Sequence, residues 1–183
     1  MNDSGATRVY PGLARLADGC RLETPRLLLR PFVEADLDPL ARMYADPEVM
    51  RYIGTGSTAT RQETWRAISS MLGHWLLRGY GMWAVEERAS GSMVGRVGFI
   101  EPEGWPGFEL GWMVDRSCWG RGYAPEAADV ALRHAREELG KERVISLIRP
   151  GNTASIRVAE KIGHRRDGSV QLFEEEAWVY ATP

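Results

Sequence analysis

The sequence predicts one mixed α/β domain, and three observations carry that expectation. Stretches with apolar residues at helical spacing interleave with short strand-like apolar runs along the chain. Turn residues separate the segments at short intervals, and no internal repeat or linker interrupts residues 21–183. At 183 residues, 44% hydrophobic and 26% charged, the chain matches a soluble globular protein large enough to bury a core.

Residues 1–20 read as an N-terminal extension, and 21–183 as the domain. Arg26 to Phe32 reads as a strand stopped at Pro31. Leu37, Leu40 and Tyr44 mark a first helix, and Asp46-Pro47 turns the chain into Val49 to Ile53. Thr60 caps a longer helix reaching Arg78, with a stripe of Trp65, Ile68, Met71, Leu72, Trp75 and Leu76. Gly79 ends it. Three strands follow, Met82 to Glu86, Met93 to Ile100 and Phe108 to Val114, joined by Ser90-Gly91 and the Pro102 to Gly107 loop. In the third, Phe108, Leu110, Trp112 and Val114 share one face, and Glu109, Gly111 and Met113 the other. The next helix, Ala124 to Leu139, buries a row of small alanines and stops at Gly140. Val144 to Ile148 suits a buried strand, and Asn152 caps a short helix ending at Gly163. Val170 to Ala181 makes a last strand or hairpin, with Glu174-Glu175-Glu176 as a solvated turn.

Bulk properties exclude several classes. A formal net charge of -2 and a pI near 6.0 argue against a general nucleic-acid binder. No run approaches the roughly 18 apolar residues of a membrane span, and the N-terminus lacks an apolar signal core. Two cysteines, Cys20 and Cys118, are too few for a disulfide framework, which points to a reducing cytoplasm. Three widely spaced histidines form no metal-ligand pattern, so no metal is expected.

The most telling segment is Cys118-Trp119-Gly120-Arg121-Gly122-Tyr123-Ala124, where a strand gives way to a helix. Its glycines let the backbone turn freely, and uncovered N–H groups at the positive end of the helix dipole seat an anion such as a pyrophosphate. A glycine-requiring turn alone accounts for the same residues. The second segment thirty residues on, Asn152-Thr153-Ala154-Ser155, makes the pair point to a coenzyme-binding enzyme. The turn has neither the Lys-Ser/Thr of a P-loop nor the third-glycine spacing of a dinucleotide fold.

The order of elements resembles the GNAT superfamily of acetyl-CoA-dependent N-acetyltransferases. The words Thr24 to Phe32, Asp46 to Ile53, Glu109 to Trp112, Trp119 to Ala124 and Asn152 to Ser155 are similar to its ribosomal-protein N-terminal (Rim-type) branch, from about residue 24 to the end. The resemblance implies a mostly antiparallel central sheet with helices on both faces and a splayed strand pair holding acetyl-CoA. It implies that Trp119, Gly120, Arg121, Gly122, Tyr123 and Ala124 cradle the pyrophosphate, and that the pantetheine arm runs along Trp112, Met113 and Val114. Asn152 would contact that arm, and Ser155 would approach the sulfur as general acid; an N-cap and a first-turn serine are the plain alternatives. The turn departs from the family where Ser117 stands in place of Gln or Arg, with Arg116 or Arg121 as replacements.

Such an enzyme needs a base for the amine, a stabilised oxyanion and a proton for the leaving thiolate, with no covalent intermediate. Glu109, beside Gly111 on the strand leading to the turn, is the expected base; a structural ion pair or a solvated edge is the alternative. Glu101, Glu103 and His74 are weaker candidates, and Cys118 reads as a packed thiol. The acceptor, a protein N-terminus or a small primary amine, would lie against Val49 to Trp75, where Arg51, Tyr52, Trp65 and Trp75 stand. A monomer or homodimer is expected. The rival class is a non-catalytic acyl-CoA-binding sensor.

Overall fold

The computed structural model describes Leu16 and residues 20–183. Its strands are β1 (Leu22–Glu23), β2 (Leu27–Arg30), β3 (Met82–Glu87), β4 (Ser92–Ile100), β5 (Glu109–Val114), β6 (Ile145–Ile148), β7 (Arg165–Leu172) and β8 (Glu175–Ala181). They form one sheet in the order β1-β2-β3-β4-β5-β6-β8-β7. Every neighbouring pair is antiparallel except β5 and β6, which run parallel and share one register pair, Glu109–Ile145. The helices are α1 (Leu37–Ala45), α2 (Pro47–Met50), α3 (Arg61–Arg78), α4 (Tyr123–Glu137) and α5 (Thr153–Lys161).

One sheet face carries α1 and α3. There Leu37, Leu40, Met43 and Ile68 close over Met82, Ala84 and Met113. The other face carries α4, whose Ala127, Ala128, Ala131 and Ala135 lie against Val97, Phe99 and Leu110. Alanines bring a helix close to the sheet, which fixes the start of α4 tightly against the end of β5. Beside it α5 covers β6 and β8 through Ala159, Ile148 and Tyr180.

The helix signals hold because their ends are chemically defined. Thr60 and Glu63 form a reciprocal capping box, and Gly79 closes α3 in the left-handed conformation at φ 79°. The α3 stripe needs one correction: Trp65 is 50% exposed, while Thr64, Ile68 and Trp75 are buried. Trp65 lies one residue, about 100°, round the helix from that buried set. Val49 and Met50 belong to a single helical turn started by Pro47, with the Asp46 side chain accepting from Glu48 N–H. The C-terminal segment is a hairpin whose first strand begins at Arg165, earlier than expected. Most of β7 is exposed at the sheet edge, so it carries polar residues and lacks apolar alternation. Phe173 and Glu174 turn the hairpin with φ 51° and 65°.

Most of the expected extension, residues 1–15 and 17–19, lies outside the described residues. Leu16 and Cys20 lie against the α4-side core. The Cys20 carbonyl accepts from the Trp83 indole at 2.9 Å. Among the described residues no helix is long and apolar enough to cross a membrane.

Candidate functional site

Past Glu109–Ile145, β5 and β6 part, and the parting decides which backbone groups are available. Asp115 N–H bonds Val94 O on the β4 side, so the alternation of the antiparallel ladder turns Met113 and Gly111 toward β4 as well. Leu110, Trp112 and Val114 therefore turn their N–H and C=O groups toward β6. Leu110 O accepts from Ser146 Oγ at 2.8 Å, and Val114 O from the Trp119 indole at 2.9 Å. Trp112 keeps both backbone groups facing the gap. Of the three residues expected along the pantetheine arm, Trp112 and Val114 present backbone to the gap. Met113 commits its backbone to β4 opposite Arg96.

The gap opens into a cavity of about 640 Å³ lined by Trp112, Met113 and Val114, by Trp119, Gly120, Gly122, Tyr123 and Ala124, and by Asn152 to Ser155. The two distant segments singled out in the sequence thus face one another across one space. At its strand–helix end Gly120 and Gly122 sit at φ 75° and 78°, and a Cβ on Gly120 would meet open space. No side chain caps α4, so its first N–H groups remain open to a ligand, and Pro125 removes one that would otherwise be orphaned.

Side chains on the far side brace this turn. Arg26 donates to the Arg121 carbonyl at 2.9 Å and to Glu126 at 2.7 Å, and Thr24 donates to Glu126 at 2.5 Å. These bonds hold the Glu126 carboxyl below its ordinary range despite partial burial. The Arg121 side chain turns away from the cavity to Glu87, 3.3 Å distant, and stacks on Tyr123, whose hydroxyl also bonds Glu87. Arg121 is therefore a brace, and Arg116 faces Asp46 at 3.8 Å. Ser117 bonds Asp115 through both its hydroxyl and its N–H.

Across the cavity, Asn152 Oδ1 accepts from Ser155 N–H at 3.1 Å, as an N-cap does, which leaves its amide NH₂ for another partner. The Trp112 indole donates to Ser155 Oγ at 3.3 Å, so the serine keeps its own proton to give. Arg51, Arg157 and Lys161 add positive charge to the lining, against the single carboxylate Glu48. Arg149 fastens the loop above, donating to Gly54 O at 2.5 Å and pairing with Glu175 at 2.9 Å.

Glu109 sits at the vertex of the split, buried, away from the solvated edge and with no ion pair among the described residues. Its carboxylate accepts from the Trp105 indole at 2.7 Å and from Leu147 N–H on β6 at 3.4 Å. Burial pushes its pKa up to about 7, against the opposing pull of those two bonds and of the Arg96 charge. That value suits a general base near neutral pH. The weaker candidates lie elsewhere. Glu101 accepts from the Tyr80 hydroxyl and faces Lys141, while Glu103 is fully exposed near Arg78. Both His74 nitrogens are engaged, one with Tyr80 O and one accepting from Glu101 N–H. Cys118 is buried at the turn, 3.7 Å from Ser117 Oγ.

Sequence reasoning missed Trp105 and the Arg26–Glu126 brace. The Trp105 contact spans four residues of irregular loop, where no periodicity announces a pairing; a tryptophan beside Pro106-Gly107 is the one available signal. Among the described residues no group of three or more His, Cys, Asp or Glu stands ready to hold a metal ion.

Comparison with known proteins bears on the family and the fold. The acetyltransferase (GNAT) domain family matches residues 26–165. The uncharacterised protein YkkB of Bacillus subtilis strain 168 is 33% identical over 168 residues, 87% of this chain and 94% of the relative. The crystal structure of an acetyltransferase from Agrobacterium tumefaciens C58 superposes with a TM-score of 0.79 at 31% identity, covering 89% and 94% of the two chains. RimL, a ribosomal L7/L12 alpha-N-protein acetyltransferase solved with coenzyme A, shares the fold with a TM-score of 0.72 at 20% identity, over 86% of this chain and 94% of that one.

Proposed function

The chain belongs to the acetyltransferase (GNAT) family, and from that premise we propose that it moves the acetyl group of acetyl-CoA to a primary amine by direct attack. The observation that supports the reading is the open gap between β5 and β6, with the uncapped start of α4 at one end and, at its vertex, the buried Glu109, which lies outside the cavity lining and whose pKa is raised to about 7. Family membership implies acetyl transfer from acetyl-CoA; the residue roles below are proposals.

Acetyl-CoA supplies the activated acetyl thioester. The N–H groups around Gly120, Gly122, Tyr123 and Ala124, backed by the α4 dipole, hold its pyrophosphate. Arg51, Arg157 and Lys161 complement the remaining phosphate charge. Trp112 and Val114 pair with the amide groups of the pantetheine arm, extending β5 as a further strand would, and the Asn152 amide NH₂ bonds the same arm.

Glu109 takes a proton from the acceptor nitrogen as the C–N bond forms. Ser155, oriented by Trp112, gives a proton to the sulfur as the C–S bond breaks. Nitrogen thus loses one proton to Glu109, coenzyme A leaves as the thiol, and solvent takes the proton from Glu109 and returns one to Ser155. Cys118, packed at the turn, takes no part. The acceptor enters from the α1–α3 face, toward which Glu109 points, and it is either a protein N-terminus or a small amine. With only two cysteines, the chain suits a reducing cytoplasm.

The test is a thiol-release assay with acetyl-CoA against N-terminal peptides, polyamines and amino acids, beside calorimetric binding of acetyl-CoA. Micromolar binding with release on one acceptor class is expected. Binding without release on any amine would replace the transferase with a sensor, and absence of binding would remove the role given to the Gly120–Gly122 turn.

A further inference from the structure

Glu109 shares its face of the sheet with Arg96, a cation that has no ion pair among the described residues. Arg96, on β4, lies opposite Ala84 of β3 and Met113 of β5. Its Nε is buried with no hydrogen-bond partner, and its Nη1 reaches only the Met82 sulfur, at 3.7 Å. The guanidinium also lies 5.7 Å from the Tyr44 ring centroid. The other carboxylates of this face are committed: Asp36 and Glu86 both bond Arg30, and Glu109 bonds Trp105 and Leu147. A buried guanidinium nitrogen left without a partner is costly, and a water, an ion or a ligand is what completes such a donor.

Its direction adds the rest. Met82 is opposite Gly98, which is opposite Gly111, so the Arg96–Met82 contact leans the guanidinium one pleat toward Glu109. Glu109 feels that positive charge. The two glycines put no side chain between the two groups other than the Met82 methyl, 3.3 Å from where a Gly111 Cβ would stand. The Met82–Gly98–Gly111 row is two residues, roughly 7 Å, from the Glu109 row.

We propose that Arg96 is an anion-binding subsite of the acceptor pocket, so that the substrate is a primary amine carrying a carboxylate or phosphate a few bonds from its nitrogen. The amine meets Glu109 and the anion meets the guanidinium, with Tyr44 and Met82 flanking the stem between them. This rests on Glu109 being the base at the acceptor end. It narrows the acceptor from any amine to an amino-acid-like one, and it disfavours polyamines, whose second cation would face Arg96.

The experiment uses paired acceptors that differ only in charge: glycine, β-alanine, 4-aminobutyrate and 6-aminohexanoate against their carboxamides, with an aminoalkyl phosphate as the second anion. Wild-type kcat/KM is expected to favour the anionic member at least tenfold at one chain length. Arg96→Met should collapse that ratio toward one, chiefly through KM, and Arg96→Lys should retain part of it. Thermal unfolding of each variant checks the fold. Equal turnover of both members by the wild type, or an undiminished ratio in Arg96→Met, overturns the proposal.

The second measurement does not depend on turnover. It is calorimetric binding of the same acceptors to protein saturated with desulfo-CoA, which lacks the reactive sulfur. Charge-selective binding lost in Arg96→Met, with no acetylation, would sustain the subsite and sink the transferase reading. Turnover without charge selectivity would do the reverse.

Discussion

Two buried titratable side chains give this protein opposite responses to pH. Glu109, raised to about 7 by burial, is half protonated near neutrality, so kcat/KM should climb with pH through about 7. Glu109→Gln should lower kcat by about 10²–10⁴-fold and erase that acid limb; a pH–rate profile of both proteins checks it, and an unmoved limb would assign the base elsewhere. The same shift bears on stability. The folded pKa lies above the unfolded one, so the contribution is full below the unfolded value near 4.5 and is lost as pH rises through 7. The urea midpoint of Glu109→Gln should therefore fall less than that of wild type from pH 5 to pH 8. His164 works in reverse. Burial pushes its pKa down to about 4, so the unfolded chain takes up a proton near 6.5 that the folded chain refuses, and stability falls as pH drops from 6.5 toward 4. His164→Asn should flatten that acid-side loss in the same titration. At this scale the sequence singled out Glu109 as a candidate through its strand face beside Gly111, and Ser155 as a candidate through the family resemblance. It concealed Arg96, because a charged residue inside an apolar strand reads as an outward one until the neighbouring helices are placed.

Elements with chemically marked ends were legible, and unmarked ones were not. Thr60 and Glu63 announce the start of α3, and Thr60→Ala should cost about 1 kcal/mol in urea unfolding. β7 carries no such mark; as an exposed edge strand it has no apolar period to read. The turn between β5 and α4 was legible because backbone geometry requires its glycines, and the proposed function gives them a second role toward the ligand. These two demands can be separated. Gly120 and Gly91 both sit at positive φ, 75° and 68°, with open space where a Cβ would stand. Alanine at either position should cost on the order of 1–2 kcal/mol of stability. Only Gly120→Ala, whose new methyl points into the space around the anion seat, should weaken acetyl-CoA binding, by tenfold or more. Calorimetry on the two variants decides; equal affinities would mean that the turn is structural and the seat lies elsewhere.

The whole molecule is a sheet divided at one pair of strands, and the division is a consequence of connectivity. β5 and β6 are parallel, so the chain needs a long crossover between them, and α4 supplies it from a turn at the end of β5. The interleaved helices and strands made that crossover predictable. The single register pair at Glu109–Ile145 was not, because strand spacing depends on what α4 and α5 each hold apart. The gap turns the Trp112 N–H and C=O away from β4 and toward no paired residue of β6, an arrangement that is stable when something else completes the ladder. A ligand that bridges β5, the α4 turn and the α5 start binds the folded chain and not the unfolded one. At a concentration one hundred times its dissociation constant, acetyl-CoA should add about 2.7 kcal/mol of stability. For a chain of 183 residues, that corresponds to a rise in Tm of about 5–11 °C. The protection should also be local. Amide hydrogen exchange should slow at Trp112, Val114, Tyr123 and Ala124, and at the start of α5, while the β7–β8 hairpin beyond the gap exchanges as before. Uniform slowing across both halves of the sheet would mean that the coenzyme stabilises the fold from outside the split. Slowing confined to the hairpin would move the site to the other end of the molecule.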